Sequence, residues 1–116
     1  MLPKKLRLPS TQSHLVYKFG KRSNLSFLQM QFWQNGNAGL QWMIQVPKKQ
    51  VQKAINRNRI KRLISEAIIK LTPTLKKNGY AVVKFTKTDK LDYRSLKLQD
   101  VKEVLEQVVE KVGMLT

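Results

Sequence analysis

The segment from about residue 51 to residue 71 predicts a long helix with two contrasting faces. Its apolar residues recur every three or four positions and form one continuous stripe: Ile60, Leu63, Ile64, Ala67 and Ile68. At about 100° per residue, polar and cationic side chains cover the opposite side: Asn58, Arg59, Lys61, Arg62 and Ser65. Lys53 and Arg57 lie at the border between the two faces. Such a helix must pack its stripe on another element while it presents cations to solvent.

Strands are predicted on both sides of this helix. Residues 25–33 alternate between apolar and polar for most of their length, which is typical of a strand. The turn-forming residues at 35–39 are followed by an apolar segment at 40–46, and this pattern predicts a hairpin. Residues 80–85 are β-branched and aromatic, and they predict a third strand after the helix. Strand, helix and strand in this order indicate a parallel pair joined by a crossover, which is right-handed in nearly all folds.

Two further helices complete the predicted order, α-β-β-α-β-α. The first runs from Ser10 or Thr11 to Phe19 and ends at Gly20. The last begins after Asp92, a suitable N-cap residue. It carries its apolar residues on one face, and they are Val101, Val104, Leu105, Val108 and Val112.

Charge divides the chain into two parts. Residues 1–88 hold 18 of the 23 lysines and arginines with a single acid, Glu66, whereas residues 89–116 hold five basic residues and six acids. A solvated helix face normally mixes the two signs, because Glu–Lys pairs four residues apart stabilise it. The helix at 51–71 has no acid before Glu66, so we expect a polyanion to neutralise its cations. Its arginines favour forked phosphate contacts and stacking on unpaired bases.

Length and composition narrow the class of protein further. The 116 residues suit one domain, predicted over residues 1–116 with a basic N-terminal arm at 1–10. The absence of cysteine excludes disulfides and thiolate metal sites and favours a reducing compartment. No stretch reaches the roughly 20 apolar residues that a membrane span needs. We expect a soluble, intracellular protein, and composition alone does not choose among RNA, DNA and anionic lipid as its polyanion.

The basic segment also carries a specific pattern. Residues 48–63 read Lys-Lys-Gln-Val-Gln-Lys-Ala-Ile-Asn-Arg-Asn-Arg-Ile-Lys-Arg-Leu. A lysine pair, an alanine and then Arg-Asn-Arg-x-Lys-Arg on a helix resemble, without a gap, the signature segment of the bacterial ribonuclease P protein family. The opening Leu2-Pro3-Lys4, with Arg7 and Leu8, is similar to the N-terminus of that family, and so are the length and the basic charge.

The resemblance implies an α+β fold, an α-β-β-α-β-α two-layer sandwich of ribosomal-protein type. Its β-α-β crossover would be left-handed, an exception to the general rule. The chain would be the protein subunit of an endoribonuclease that matures the 5′ ends of transfer RNAs. An RNA subunit would carry the catalysis with Mg²⁺, and the partners would be this catalytic RNA and the precursor tRNA. The protein would be cytoplasmic, with neither a membrane nor a small-molecule substrate among its partners. The residues predicted to bind RNA are Lys48, Lys49, Lys53, Arg57, Asn58, Arg59, Lys61 and Arg62.

The resemblance also implies a cleft between the sheet and the first helix that holds the single-stranded 5′ leader of the precursor. The residues predicted to line it are Tyr17, Phe19, Phe27, Met30 and Lys84. Aromatic and soft side chains can stack on unpaired bases, although aromatic residues on strands usually lie in the core. Because strand residues alternate between faces, Phe27 and Phe32 can share a face only if the strand contains a bulge.

Three positions depart from the family pattern. Arginine is common in the family where Ser65 and Phe85 stand, and phenylalanine is usual near His14. His14 is also the only histidine, so a mechanism with two histidines is excluded. The acids of the last helix alternate with lysines, as on a solvated face. We expect no catalytic residue in the chain itself and no metal held by its side chains.

Other functions share parts of this pattern. A ribosomal-protein-like structural RNA-binding protein would have the same electrostatics and is the main alternative. A DNA-binding module would need a partner helix at helix-turn-helix spacing, which is lacking before the basic helix. A protein of anionic membranes would need an apolar stripe that is rich in tryptophan and not required for the core.

Overall fold

A computed structural model describes residues 2–34, 39–75, 78–86 and 93–111. Its helices and strands are α1 (Ser13–Phe19), β1 (Lys21–Leu25), β2 (Leu28–Trp33), β3 (Leu40–Gln45), α2 (Ala54–Leu71), β4 (Gly79–Phe85) and α3 (Leu98–Lys111). Short 3₁₀ turns lie at Lys4–Leu6, Ser10–Gln12, Thr72–Thr74 and Tyr93–Ser95. The predicted α+β class is confirmed, and the structure adds one strand, β1, to the predicted order. The turn residues at 35–38, the cap at Asp92 and Val112 lie outside the described residues.

The strands form a mixed four-stranded sheet in the order β1-β2-β4-β3. β2 pairs antiparallel with β1 and β4, and β3 pairs in parallel with β4. The predicted hairpin between the strands before and after residues 35–39 is therefore wrong, because β4 lies between them. The predicted parallel unit is confirmed as β3-α2-β4. The left-handed sense of its crossover stays a prediction.

The sequence pattern does not predict β1, because this strand lies at a sheet edge and one of its faces is solvated. Its sequence, Lys-Arg-Ser-Asn-Leu, has no apolar alternation. A tight turn at Ser26 and Phe27 joins it to β2, and Ser26 has a positive φ of 53°. Phe27 consequently lies in a turn rather than in a strand. It can therefore join Phe32 in the core without a bulge in β2.

The main core lies between the sheet and the two long helices, α2 and α3. The predicted stripe of α2 faces this core, where Ile60, Ile64 and Ile68 are at most 1% exposed. Full burial of such a side chain contributes about 1.5–3 kcal/mol. Leu63 is half-buried at the edge of the stripe. α3 contributes Val101 and further aliphatic residues to the same core.

α1 and the N-terminal arm cover part of the other face of the sheet. Val16 of α1, Leu8 of the arm and Val82 of β4 form a small buried cluster there. The arm is tied to the edge of the sheet, since the Leu8 N–H donates to the Trp42 carbonyl at 2.8 Å. The side chain of Leu2 reaches the main core. Residues 2–8 therefore pack on the protein, although they read as a basic arm in the sequence.

Gly79 sets the start of β4 against β2. Its φ is +151°, and a Cβ atom added there would lie 2.2 Å from the Trp33 carbonyl oxygen. We expect Gly79→Ala to lower the free energy of unfolding by at least about 2 kcal/mol. The matched control is Gly39→Ala, because Gly39 has a φ of +97° but no described atom within 4 Å of the added Cβ. That control should cost about 1 kcal/mol, from backbone strain alone. Equal losses in urea unfolding would contradict the close contact at Gly79.

Candidate nucleic-acid interface

The outer face of α2 and the turn before it form a surface of exposed polar and cationic side chains. We call it the basic surface and define it as Lys48, Lys49, Lys53, Asn58, Lys61 and Arg62, all of which are exposed. Its position follows from the apolar stripe, because the core fixes which side of α2 points outward. The side chains of Asn58, Lys61 and Arg62 make no hydrogen bond or ion pair within the described part of the chain. Six of the eight predicted RNA-binding residues therefore share one exposed surface.

The other two predicted RNA-binding residues, Arg57 and Arg59, are half-buried and bind backbone carbonyls. Arg57 Nη1 donates to the Val51 carbonyl at 3.1 Å and to the Gln52 carbonyl at 2.6 Å. Val51 is fully buried, so these bonds hold residues 51 and 52, which directly follow the turn at 48–50, against the first turn of α2. The Lys48 and Lys49 side chains are thereby kept next to the cationic side of the helix.

Arg59 connects α2 to the segment before α3. Its Nη1 donates to the Tyr93 carbonyl at 3.1 Å, and its Nη2 donates to the Leu96 carbonyl. Leu96 is 3% exposed and packs in the main core. A guanidinium has five N–H donors in a planar fork, so Arg57 and Arg59 keep donors for a phosphate while they make these contacts. Both arginines thus have a structural role that the sequence did not reveal.

A second surface lies on the face of the sheet that α1 partly covers. The strand register places Asn24, Gln29, Lys84 and Gln45 directly opposite one another across the four strands. We call these four residues the polar row. In the next row, the Arg22 guanidinium lies 2.9 and 3.0 Å from the Gln31 side-chain oxygen when the amide is oriented to accept. Amide and cationic groups therefore line the uncovered half of this face.

Aromatic rings border the same face at the C-terminal end of α1. The centroid of the Phe19 ring lies 5.4 Å from that of Trp33, and Trp33 in turn lies 5.9 Å from Tyr80 in an edge-to-face arrangement. Phe19 is 53% exposed. Tyr17 is 47% exposed and lies about 160° around α1 from Phe19, on the opposite flank of the helix. The polar row, α1 and these four rings lie on the same side of the sheet, and we call this surface the sheet cleft.

The predicted cleft residues divide between the two faces. Tyr17, Phe19 and Lys84 belong to the sheet cleft. The placement of Phe27 and Met30 in this cleft is wrong, because both are buried in the main core, at 4% and 0% exposure. Met30 is one of the residues of β2 that point toward the helices, and the Phe27 ring packs 6.0 Å from that of Phe85.

Several cleft residues were missed by the sequence prediction. They are Arg22, Asn24, Gln29, Gln31, Trp33, Gln45 and Tyr80. Alternation along β2 and β4 could have identified some of them, since Gln29, Gln31 and Lys84 occupy the positions between buried residues. The polar row itself depends on the strand order, which the sequence did not predict.

The described residues offer few other side chains suited to catalysis or metal binding. His14 is exposed on α1. No group of three or more histidine or acidic residues is placed to hold a metal ion in the described ranges. Phe85 and Ser65, two positions that depart from the family pattern, are both buried. None of the helices described is long and apolar enough to cross a membrane.

A cationic helix face on one side of a sheet and an aromatic, amide-lined cleft on the other define a nucleic-acid-binding α+β protein. The chain belongs to the Ribonuclease P family, whose sequence model matches residues 2–112. The predicted resemblance is therefore confirmed, and membership makes this an RNA-binding protein of tRNA processing and a subunit of an endoribonuclease.

Solved structures agree with this assignment. The Staphylococcus aureus RNase P protein superposes with a TM-score of 0.81 at 19% identity, over 97% of this chain and 100% of that chain. The RNase P protein from Thermotoga maritima superposes with a TM-score of 0.80 at 24% identity, over 92% of this chain and 97% of that chain. At these identities the likeness shows the fold. No curated protein sequence matches the chain significantly.

The contacts of Arg59 predict that its replacement destabilises the fold. We expect Arg59→Ala to lower the free energy of unfolding by about 1–3 kcal/mol, because two carbonyls lose a charged donor. Lys61→Ala is the matched control on the same helix, and it should change stability by no more than about 0.5 kcal/mol. Urea unfolding monitored by circular dichroism measures both variants. Equal stability of the two variants would mean that the Arg59 contacts contribute nothing.

Proposed function

We propose that this chain binds the catalytic RNA of ribonuclease P through its basic surface and the 5′ leader of precursor tRNA in its sheet cleft. In this way it promotes endonucleolytic 5′ maturation of tRNA in the cytoplasm. The observation that carries the proposal is the placement of two different RNA-binding chemistries on opposite sides of one sheet, in a chain of this family. Each surface suits a different kind of RNA segment.

The basic surface suits the backbone of a folded RNA. This surface contains four lysines, one arginine and one asparagine, and none of these six residues is acidic. Contacts of this kind bind phosphates without reading sequence, and they release counterions, so binding weakens with salt. Arg57 and Arg59 lie at the base of this surface and add donors while they hold it in shape. A surface of this composition supports binding to the large catalytic RNA.

The sheet cleft suits an unpaired strand. Bases of single-stranded RNA stack on aromatic rings, and amide side chains can bond to their exposed edges. Tyr17 and Phe19 offer exposed rings, and the polar row offers amides on both sides of Lys84. Lys84 supplies a cation for a leader phosphate. The opposite faces allow the precursor leader and the catalytic RNA to be held at the same time.

The chemistry of cleavage is assigned to the RNA subunit, with Mg²⁺ held by RNA. The role of this chain is to bind, orient and neutralise phosphates. Each cation placed near a phosphate reduces the repulsion between the two RNAs. This reduction lowers the concentration of Mg²⁺ that is needed to bring them together.

A ribosomal-type structural RNA-binding protein is the alternative. It would use the basic surface in the same way. It would not require a cleft for a single strand, and the exposed rings of Tyr17 and Phe19 would then have no ligand. Family membership and the sheet cleft both favour the subunit of ribonuclease P.

The proposal predicts protein-dependent cleavage of precursor tRNA. A bacterial ribonuclease P RNA at low Mg²⁺ should cut at the mature 5′ end when this protein is added, and the protein alone should not cut. Lys61→Ala combined with Arg62→Ala should require at least about tenfold more protein, because two phosphate contacts are lost. Product gels over a protein titration measure both effects.

The matched control for this experiment removes the same charge from another surface. Lys97→Ala combined with Lys111→Ala takes two cations from α3 and its N-terminal flank, and it should behave like the natural chain. Absence of stimulation by the natural chain, with general RNA binding retained, would favour the structural alternative. Equal loss in the two double variants would indicate an effect of net charge alone.

Leader binding predicts a selective effect of Tyr17. We expect Tyr17→Ala to raise the Kd of the reconstituted enzyme for precursor tRNA about fivefold or more, because one stacked base is lost. The Kd for mature tRNA, which has no leader, should not change. His14→Ala is the control on the same helix, since His14 points away from the sheet. A parallel loss for precursor and mature tRNA would place Tyr17 outside the leader site.

A further inference from the structure

A groove lies between the N-terminal arm, the outer edge of β3 and the basic surface. Its volume is about 580 Å³, within the range of small-ligand sites. One wall is formed by Leu2, Arg7 and Leu8 of the arm, and the floor by Trp42, Met43 and Ile44 of β3. The other wall is the side of α2 that carries Asn58, Lys61, Arg62 and Ser65. Ser65 has a small side chain whose hydroxyl bonds to the Lys61 carbonyl at 2.8 Å, and this leaves the groove open.

The lining combines apolar walls with a cationic rim. Leu2 and Leu8 are buried beside the groove, and Ile44 is half-buried in its floor. Arg7, Lys61 and Arg62 are exposed at the rim. Arg7 is held in place because its Nε donates to the Leu2 carbonyl at 2.8 Å. No residue that lines the groove is acidic.

Some residues that line this groove carry hydrogen-bonding groups without a partner among the described residues. Trp42 is 1% exposed, and its indole Nε1 has no hydrogen-bond partner among the described residues. Alternate residues of a parallel strand direct their peptide groups to the same side, so Ile44 points its N–H and C=O outward as Trp42 does. The arm bonds to Trp42 but not to Ile44. The Asn58 amide adds one more acceptor and donor at the wall.

We propose that this groove, which we call the arm–helix groove, binds one unpaired nucleotide of an RNA partner. The flat base lies between the apolar residues of the arm and the floor of β3. Its edge bonds to the Asn58 amide and to the peptide groups of Ile44. The adjoining phosphates lie on Arg7, Lys61 and Arg62. The proposal rests on the proposed function only in that its ligand is RNA.

The lining favours a nucleotide over other anionic partners. An acidic peptide or a lipid headgroup would satisfy the rim, but neither presents a flat ring that carries donors and acceptors along one edge. A plain RNA duplex would satisfy the rim and leave the groove empty. An unpaired base uses the apolar walls, the edge-reading groups and the cations together. The groove is continuous with the basic surface through Asn58, Lys61 and Arg62, so an RNA bound there can reach it.

The two indole N–H signals in a ¹⁵N NMR spectrum test the proposal directly, because Trp42 reports the arm–helix groove and Trp33 reports the sheet cleft. The Trp33→Phe variant assigns the signals. The probes are single-stranded RNA tetramers of uridine and of adenosine, and an abasic tetramer with the same ribose-phosphate backbone. We expect the Trp42 signal and the Asn58 side-chain amide to shift with at least one base-bearing tetramer and not with the abasic one. The backbone amide of Arg62 should respond to all three.

Variants at Ser65 provide the matched pair. Ser65→Leu fills the groove without a change of charge, and it should raise the Kd for the tetramer, read from the Trp42 signal, at least tenfold. Ser65→Ala leaves the groove open and should keep the Kd of the natural chain. If Ser65→Leu fails to fold by circular dichroism, Asn58→Ala serves instead, because that residue is exposed, and a severalfold weaker Kd is expected. An unmoved Trp42 signal with every tetramer, or an equal shift with the abasic one, would overturn the proposal.

Cleavage assays on the natural chain separate this proposal from the proposed function. Stimulated cleavage together with an unmoved Trp42 signal would contradict nucleotide binding in the arm–helix groove and leave the proposed function in place. A base-dependent Trp42 shift without any stimulation of cleavage would support the groove as an RNA-binding site and contradict the proposed role in ribonuclease P.

Discussion

The parallel pairing of β3 with β4 is the constraint on which the other features depend. It requires the chain to leave one end of the sheet and return to the other end, and α2 is the element that makes this return. The apolar stripe of α2 must then face the sheet, so its cations must face outward. The same pairing inserts β4 between β2 and β3 and brings Lys84 between Gln29 and Gln45. One long-range contact thus sets both surfaces.

The arginines of α2 show why a basic segment is more than a source of charge. Arg57 and Arg59 bond to carbonyls of the turn before α2 and of the segment before α3. Lysine could not replace Arg59 easily, because Arg59 reaches two carbonyls through Nη1 and Nη2, and a single ammonium group cannot present such a planar fork. Arg62 and Lys61 make no such contacts and are available to a ligand. Within one motif, therefore, some cations shape the surface and others form it.

Sequence analysis reached the features that depend on local periodicity. The stripe of α2 was predicted from spacing, and the exposed members of the basic surface follow from it. The order of the strands could not be read in this way, because a turn signal before residue 40 is equally compatible with a hairpin and with a connection that skips a strand. β1 was missed because an edge strand with a solvated face lacks apolar alternation.

The errors in the candidate site have the same origin. Phe27 and Met30 were assigned to the cleft by residue type, but the face of a strand residue depends on where the strand begins. Because Ser26 and Phe27 form a turn, β2 starts at Leu28, and Met30 points toward the helices. The polar row could not be predicted, since its members come from four strands whose neighbours were unknown. Arg57 and Arg59 were read as free cations because their carbonyl partners are set by tertiary packing.

Charge connects the stability of this fold to its ligand. The cations of the basic surface lie close together without acidic partners, and their mutual repulsion opposes folding of the free chain. The acids that could offset it are concentrated on α3, whose exposed face alternates glutamates with lysines. A polyanion that binds only the folded chain stabilises it by mass action and removes this repulsion as well. Arg57 and Arg59 bond to backbone carbonyls beneath the basic surface, so on the proposed function an RNA bound there would also act on the contacts that hold α2 to its neighbours. Binding and folding would then be coupled through the same arginines, and such coupling would give a physical reason for a fold that concentrates so much unbalanced positive charge on one helix.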